Sequence, residues 1–431
     1  MSDWLSKDQK YVWHPFTQIQ TAPQPLCITH AEDSVLYSED GKEYIDCNSS
    51  WWVNVHGHRN ELIARAVAEQ ITQLDHVIFA GVTHPKAVEL AVRISKLLPD
   101  SLEKVFFSDN GSTAVEVALK MAFQFWHNQG KPKYRILALD GAYHGDTFGA
   151  MSVGQRGYFN KPFEPFFFDV DYLAFPDKTN NSQILSQAEN FFSTGEFAAI
   201  IVEPLVQGSA GMRMYQSEWL DALLRIARKY RLLVIFDEVM TAWGRTGKLF
   251  AMDYCMEKPD IVCLSKGLTG GVLPLGLTVA TNDIYTAFLS NELAKGFLHG
   301  HSFTGNPVAC AAACASLDIF EKEETWINID RINTLYRAKL ELFNEHPHIK
   351  SVRVLGTIFA VELKTGEGNT YFSGLRDYAY EFFLENGLLM RPLGNVVFLN
   401  PPYCTTNEQV DKALRKILEF ADGLVEHNSA I

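Results

Sequence analysis

Five apolar runs set the limits on how this chain can fold: Val105-Phe106-Phe107, Ile136-Leu137-Ala138-Leu139, Ala199-Ile200-Ile201-Val202, Leu232-Leu233-Val234-Ile235-Phe236 and Ile261-Val262-Cys263-Leu264. Each is continuous rather than alternating. A strand with water on one face alternates apolar and polar residues, whereas a strand covered on both faces is apolar throughout, so these runs predict the strands of a parallel sheet packed between helices. Helical patterns lie near or between the runs. Residues 113–129 read as a helix stopped by Gly130, and over 217–230 the residues Trp219, Leu220, Leu223, Leu224 and Ile226 form an apolar stripe. Strands that alternate with helices predict an α/β fold with a mostly parallel central sheet.

The two ends of the chain read differently. Residues 1–60 are aromatic-rich and irregular. From about residue 310 onward there is a long helical pattern, a short strand-like segment at 351–363 and a final helix at 406–426. The expected division is an N-terminal segment, 1–60, that joins the C-terminal region, 310–431, in a smaller α+β domain. A large domain spans 61–309, and a chain of 431 residues suffices for both.

Acidic residues outnumber basic ones, 51 to 38, for a formal net charge of −13, and no Lys/Arg block stands out. This speaks against nucleic acid or an anionic membrane as a partner, and means that a bound phosphate would have to be held by local groups. No apolar run reaches the length of a membrane span, about 18 residues or more. The segment MSDWLSKDQKYVWHPF lacks a basic stretch followed by an apolar one, and the seven cysteines contain no CxxC pair. A cytoplasmic protein with free thiols is the expectation.

Ligands of an open parallel sheet bind outside the carboxyl ends of its strands. The five runs end in Ser108-Asp109-Asn110-Gly111-Ser112, in Gly141 to Asp146, in Glu203-Pro204 with Gln207-Gly208 beyond, in Asp237-Glu238, and in Ser265-Lys266-Gly267. The first precedes a helix, so it is either an ordinary capped start or an anion site suited to a phosphate. Asp237 closes an apolar strand and needs a cationic partner there, either a protein arginine or a protonated pyridine nitrogen. Lys266 is either a snorkelling surface lysine or a partly buried amine whose lowered pKa makes it a nucleophile for an aldehyde.

Residues 232–271, LLVIFDEVMTAWGRTGKLFAMDYCMEKPDIVCLSKGLTGG, resemble the signature of the class III pyridoxal-phosphate (PLP)-dependent aminotransferases, with 29 residues from Asp237 to Lys266. WHPFTQ at 13–18, SSWWVNVHGH at 49–58, DGAYHGDTFGAMSVG at 140–154, VQGSAGMRMY at 206–215, HGHSFTGNP at 299–307 and MRPLGNVVFLNPPY at 390–403 extend the resemblance over almost the whole chain. It implies PLP as cofactor and the fold type I architecture of aspartate aminotransferase, in a homodimer with shared active sites that acts on small molecules. It also implies roles. Lys266 would be the Schiff-base lysine, Asp237 the partner of the pyridine nitrogen, and Tyr143 the group stacked on the ring. Gly111 and Ser112 would bind the phosphate, with Ser302 reaching it from the partner subunit. Trp51, Trp52, Phe16 and Gly300 would line the substrate pocket, and Arg391 would grip the distal carboxylate of an oxo acid.

The chain departs from the family pattern in three places. Thr241-Ala242 stands where Thr-Gly is usual. Ser209 and Phe398 stand where many ω-amino-acid aminotransferases carry Glu and Arg, which removes their usual grip on 2-oxoglutarate. Phe16 replaces a tyrosine that touches substrate in relatives, which bears on the amino donor. Other patterns have plainer readings. Gly244 to Lys248 fails as a P-loop because Ala242 and Leu249 occupy positions that need Gly and Ser/Thr. The pairs His56/His58 and His299/His301 read as loop histidines lining a pocket, with no metal. Gly267 and Gly270-Gly271 read as a flexible turn, and the Ala/Cys-rich run 309–316 as a close-packed helix.

Overall fold

The computed structural model describes residues 3–364 and 374–428. All five apolar runs are strands of one seven-stranded sheet. In chain order the strands are β1 (Leu102–Ser108), β2 (Arg135–Leu139), β3 (Val170–Leu173), β4 (Phe197–Val202), β5 (Leu233–Asp237), β6 (Ile261–Leu264) and β7 (Gly276–Thr281). Their spatial order is β1-β7-β6-β5-β4-β2-β3. β2, β3, β4, β5 and β6 pair in parallel, and β7 runs antiparallel to both β6 and β1. Six strands therefore point one way, and the carboxyl ends of the five runs share one edge. β3 and β7 lack a continuous apolar run, which is why the sequence pattern did not reveal them.

Neighbouring residues on each strand feed different cores. Leu137, Ile200, Val234, Phe236, Val262 and Leu277 belong to one apolar cluster, which the helix Ser217–Lys229 closes with Trp219, Leu220, Leu223 and Leu224. Ile136, Ala138, Ile201, Ile235, Ile261 and Cys263 belong to the other, covered by the helix Gly111–Asn128 through Ala114, Val117, Ala118 and Met121. Both helices start and end within two residues of where their apolar periodicity predicts.

The Ala/Cys-rich run lies in the helix Pro307–Phe320, whose Cys310, Ala313, Cys314 and Leu317 pack into the first cluster. The expected boundary at 309/310 falls inside this helix. A long helix, Glu323–Asn344, follows it. The segment at 351–363 is a hairpin, Ile349–Leu355 with Ile358–Leu363, and Val396–Leu399 adds a third antiparallel strand. Helices Glu323–Asn344, Gly374–Glu385 and Asn407–Asn428 cover it through Tyr336, Phe343, Phe383 and Phe420. Near the N-terminus, strands Ile28–Glu32, Val35–Ser38 and Glu43–Asp46 form a meander whose last strand pairs in parallel with Leu388–Leu389. Among the described residues no helix is long and apolar enough to cross a membrane.

Candidate active site

Asp237 ends β5 and is 5% exposed. Of the protein groups around it, a histidine and not an arginine is its partner. Among the described residues no arginine forms a salt bridge with it. Instead, Oδ2 lies 2.7 Å from Nδ1 of His144, and Oδ1 accepts the Val239 N–H at 3.1 Å. An ionised carboxylate only accepts, so Nδ1–H is the donor, and Asp237 keeps lone pairs free for a further donor. The His144 side chain is fully buried, and its Nε2 has no hydrogen-bond partner among the described residues.

Glu203, one residue past β4, ties the same edge together. Its Oε1 accepts the Tyr143 N–H at 3.0 Å and its Oε2 the Gly208 N–H at 3.1 Å. Burial, with Asp237 nearby, pushes the Glu203 carboxyl up to about 7. The Tyr143 hydroxyl donates to Asp146 Oδ2 at 3.0 Å. Burial and the Asp146 charge push this phenol well above its ordinary range, so it stays protonated.

Lys266 is not a snorkelling surface lysine. Its backbone has φ 48°, a conformation that non-glycine residues adopt only where their surroundings impose it. Its ammonium sits 4.6 Å from the ring centre of Trp52, which is itself buried. Burial lowers the Lys266 pKa from 10.5 to about 8, against the opposing pull of Asp237 and Glu203. At pH 7 roughly a tenth of such amines are neutral, far more than for an ordinary lysine.

The glycines of the turn after Lys266 stand at points of close packing. A Cβ on Gly271 would lie 2.8 Å from the Val53 carbonyl carbon, and one on Gly267 would lie 2.9 Å from Val55 Cγ1. These glycines allow the chain to pack directly on residues 53–55.

At the start of Gly111–Asn128 the Asn110 side chain accepts the Thr113 N–H at 2.9 Å, while Thr113 Oγ1 accepts the Asn110 N–H at 3.2 Å. The helix start is a capped one, and it is also closely cradled. A Cβ on Gly145, which has φ +124°, would lie 2.1 Å from Ser112 Oγ, and one on Gly111 would lie 2.7 Å from Val239 Cγ1. The first N–H groups of a helix have no partner within it, so this start can still receive a phosphate. Cradle, carboxylate and depressed lysine together fit PLP.

Arg391, Trp51 and Phe16 form a second group beside Trp52. The Arg391 guanidinium lies 5.1 Å from the Trp51 ring centre, and the Phe16 ring 5.4 Å from it. The Arg391 N–H donates to Asn48 Oδ1 at 2.7 Å. Gly300 and Ser302 lie on an exposed loop. The Ser302 carbonyl accepts from His76 Nε2 at 2.6 Å, and His301 Nε2 comes within 3.9 Å of Asp109. His144 and Glu203 stand at strand ends that the sequence placed on this edge, but it gave neither a role. Both follow apolar runs, which was the only available signal, because their partners lie on other strands.

The chain matches the family model "Aminotransferase class-III" over residues 17–420. It is 46% identical, over 96% of its own length and 98% of the relative's, to an adenosylmethionine-8-amino-7-oxononanoate aminotransferase of Synechococcus elongatus. The crystal structure of an aminotransferase of that name from Methanocaldococcus jannaschii superposes with a TM-score of 0.92 at 34% identity, covering 97% of this chain and 98% of that one. An amine transaminase from an uncultivated Pseudomonas species, solved in its PLP-bound form, superposes at 0.88 with 29% identity, covering 95% and 98%. This chain belongs to the class III aminotransferases and has their α/β, fold type I architecture.

Proposed function

We propose that this protein is a PLP-dependent transaminase that converts 8-amino-7-oxononanoate to 7,8-diaminononanoate, a step of biotin biosynthesis, with S-adenosyl-L-methionine as amino donor. The observation that carries this reading is near-full-length identity of 46% to a relative named for that acceptor and donor. Bound PLP supplies an electron sink for the carbon that bears the transferred nitrogen. Lys266 Nζ would anchor the cofactor and, as an amine, would be the group that takes and returns the substrate proton. Asp237, oriented by His144, would pair with the pyridine nitrogen and favour its protonated form. Gly111 and Ser112 would hold the phosphate, and Tyr143 would stack on the ring. Trp51 and Trp52 wall the substrate pocket, with Phe16 and Gly300 completing it.

In this reading residues 61–309 form the large PLP-binding domain, and 1–60 with 310–431 form the small one. The pairing of Glu43–Asp46 with Leu388–Leu389 supports that division. The active assembly is a homodimer with shared active sites, in which Ser302 reaches the partner's cofactor phosphate. The exposed apolar side chains of Leu298 and Phe303 beside it support such an interface. The substrates are small molecules, and the protein is cytoplasmic.

The deciding experiment supplies the PLP-loaded protein with the oxo acid and a panel of donors and quantifies 7,8-diaminononanoate. Formation with S-adenosylmethionine is expected; no diamine with any donor removes the acceptor assignment. One observation favours lysine as the donor instead: Phe16 brings a ring without a hydroxyl against Trp51. If lysine alone converts the cofactor in a single turnover, the donor changes and the product stands. Phe16→Tyr is then expected to shift preference toward S-adenosylmethionine.

Arg391→Ala is expected to lower kcat/KM for the oxo acid by about 10- to 150-fold, the equivalent of roughly 1.5–3 kcal/mol for a charged hydrogen bond, while the donor half-reaction is spared. Equal losses in both half-reactions would assign Arg391 to the fold or the cofactor.

A further inference from the structure

The two histidines of the His56-Gly57-His58 motif face different walls of the site. His56 is buried, and its Nε2 lies 2.9 Å from Ser316 Oγ, which in turn donates to the Gly267 carbonyl at 3.4 Å. Gly267 follows Lys266 directly, so this chain of contacts ends on the turn that holds the lysine at positive φ. The hydroxyl that donates to Gly267 must accept from His56, which places the proton of His56 on Nε2. Burial lowers the His56 pKa to about 3, which keeps the ring neutral and suited to that task.

His58 points the other way. Its Nε2 lies 2.9 Å from Oδ2 of Asp46, and its Nδ1 lies 3.1 Å from the Asn54 amide nitrogen. Asp46 is fully buried and accepts the N–H groups of Asn48 at 3.2 Å and of Ser50 at 2.7 Å. These bonds hold a turn in which Ser49, Ser50 and Trp52 have φ of 51°, 57° and 64°. Such a turn persists only where its surroundings over-determine it. It carries Trp52 to Lys266 and Trp51 to Arg391.

Gly57 sets the distance between the two histidines. It has φ +95°, and a Cβ there would lie 2.6 Å from Cys404 Sγ and 3.2 Å from the Asp33 Cα. His58 is further pinned by a two-way backbone bridge to Asp33, at 2.6 and 3.2 Å.

We propose that His56 and His58 are positioning residues for opposite walls of the site. His56, through Ser316 and the Gly267 carbonyl, fixes the turn of Lys266. His58, through Asp46, fixes the turn of Trp51 and Trp52. The inference rests on the reading of Lys266 as the cofactor lysine and of Trp51, Trp52 and Arg391 as the oxo-acid pocket.

The test compares PLP-loaded wild type with His56→Ala and His58→Ala by three readouts: the visible spectrum and release rate of bound PLP, kcat in each half-reaction, and KM for the oxo acid. A misplaced reacting group costs on the order of 10- to 100-fold. His56→Ala is expected to alter the spectrum, to speed PLP release and to lower kcat in both half-reactions by roughly that factor, with KM for the oxo acid held. His58→Ala is expected to raise that KM about tenfold or more, with a wild-type spectrum. Glutamine places an amide near Nε2, so His56→Gln and His58→Gln are expected to recover much of each loss. Should an alanine variant fail to fold, Ser316→Ala and Asp46→Asn remove the same two bonds and carry the same comparison.

Overlapping effects of the two variants on all three readouts would overturn the separate roles. Lowered thermal stability with unchanged kinetics would make both histidines merely structural. A wild-type protein that binds no PLP would instead sink the reading on which the inference rests.

Discussion

Lys266→Ala is expected to lower turnover by at least the 10²–10⁴-fold that a placed acid–base group contributes, and to remove the visible absorbance of a covalently held cofactor. The expectation follows from three properties of one residue. Its amine is 4.6 Å from the Trp52 ring centre. Burial brings its pKa to about 8. Its backbone stands at φ 48°, and Gly267 and Gly271 let the following turn pack on residues 53–55. The pKa has a sign that can be checked on the apo protein. The reactive form is the neutral amine, so the rate of condensation with a small aldehyde should rise as pH passes through about 8 and level off above it. An ordinary lysine would keep rising toward 10.5. A Lys266→Ala variant with near-normal turnover would end the assignment, because among the described residues no other lysine follows a strand so closely at this edge of the sheet.

Asp237→Asn is the second large effect. The side chains have nearly the same shape, and His144 Nδ1–H can still donate to the amide oxygen, so the fold and the melting temperature are expected to hold. What is lost is the negative charge opposite the pyridine nitrogen. Preorganised electrostatic partners of this kind contribute about 10²–10³-fold in kcat, and a loss on that order is expected in both half-reactions. The equality matters. Donor and acceptor use the same cofactor, so a defect confined to one half-reaction would mean that Asp237 serves a substrate. Full activity would remove it from the site altogether.

The class of fold was legible in the sequence because burial on both faces leaves a strong local trace. Leu232 to Phe236 and Ile261 to Leu264 have no polar residue, and a strand free of polar residues belongs at the centre of a parallel sheet. β3 and β7 leave no such trace. Asp171 interrupts the first, and threonines at 278 and 281 break the second, whose Thr278 hydroxyl is satisfied by the Ala114 carbonyl at 2.7 Å. The antiparallel direction of β7 depends on its pairing with β1 and β6, which nothing in its own residues specifies. At the site, Asp237 and Lys266 were readable as candidates because each is a charged residue closing an apolar strand. The family signature then gave them roles.

The partners were not readable, because they are set by distance in space rather than along the chain. His144 meets Asp237 across 93 residues, and His56 meets Ser316 across 260. The sequence by itself determined which residues must be buried, where the strands end and which charged groups stand at those ends. Burial acts on each residue through its own contact with water, so its imprint is local. Only the tertiary structure decided that a histidine rather than an arginine would hold Asp237, that the glycines after Lys266 serve close packing, and that one short loop would reach both walls of the site. Hydrogen bonds and van der Waals contacts act over a few ångströms, and only the folded sheet edge brings those atoms within that range.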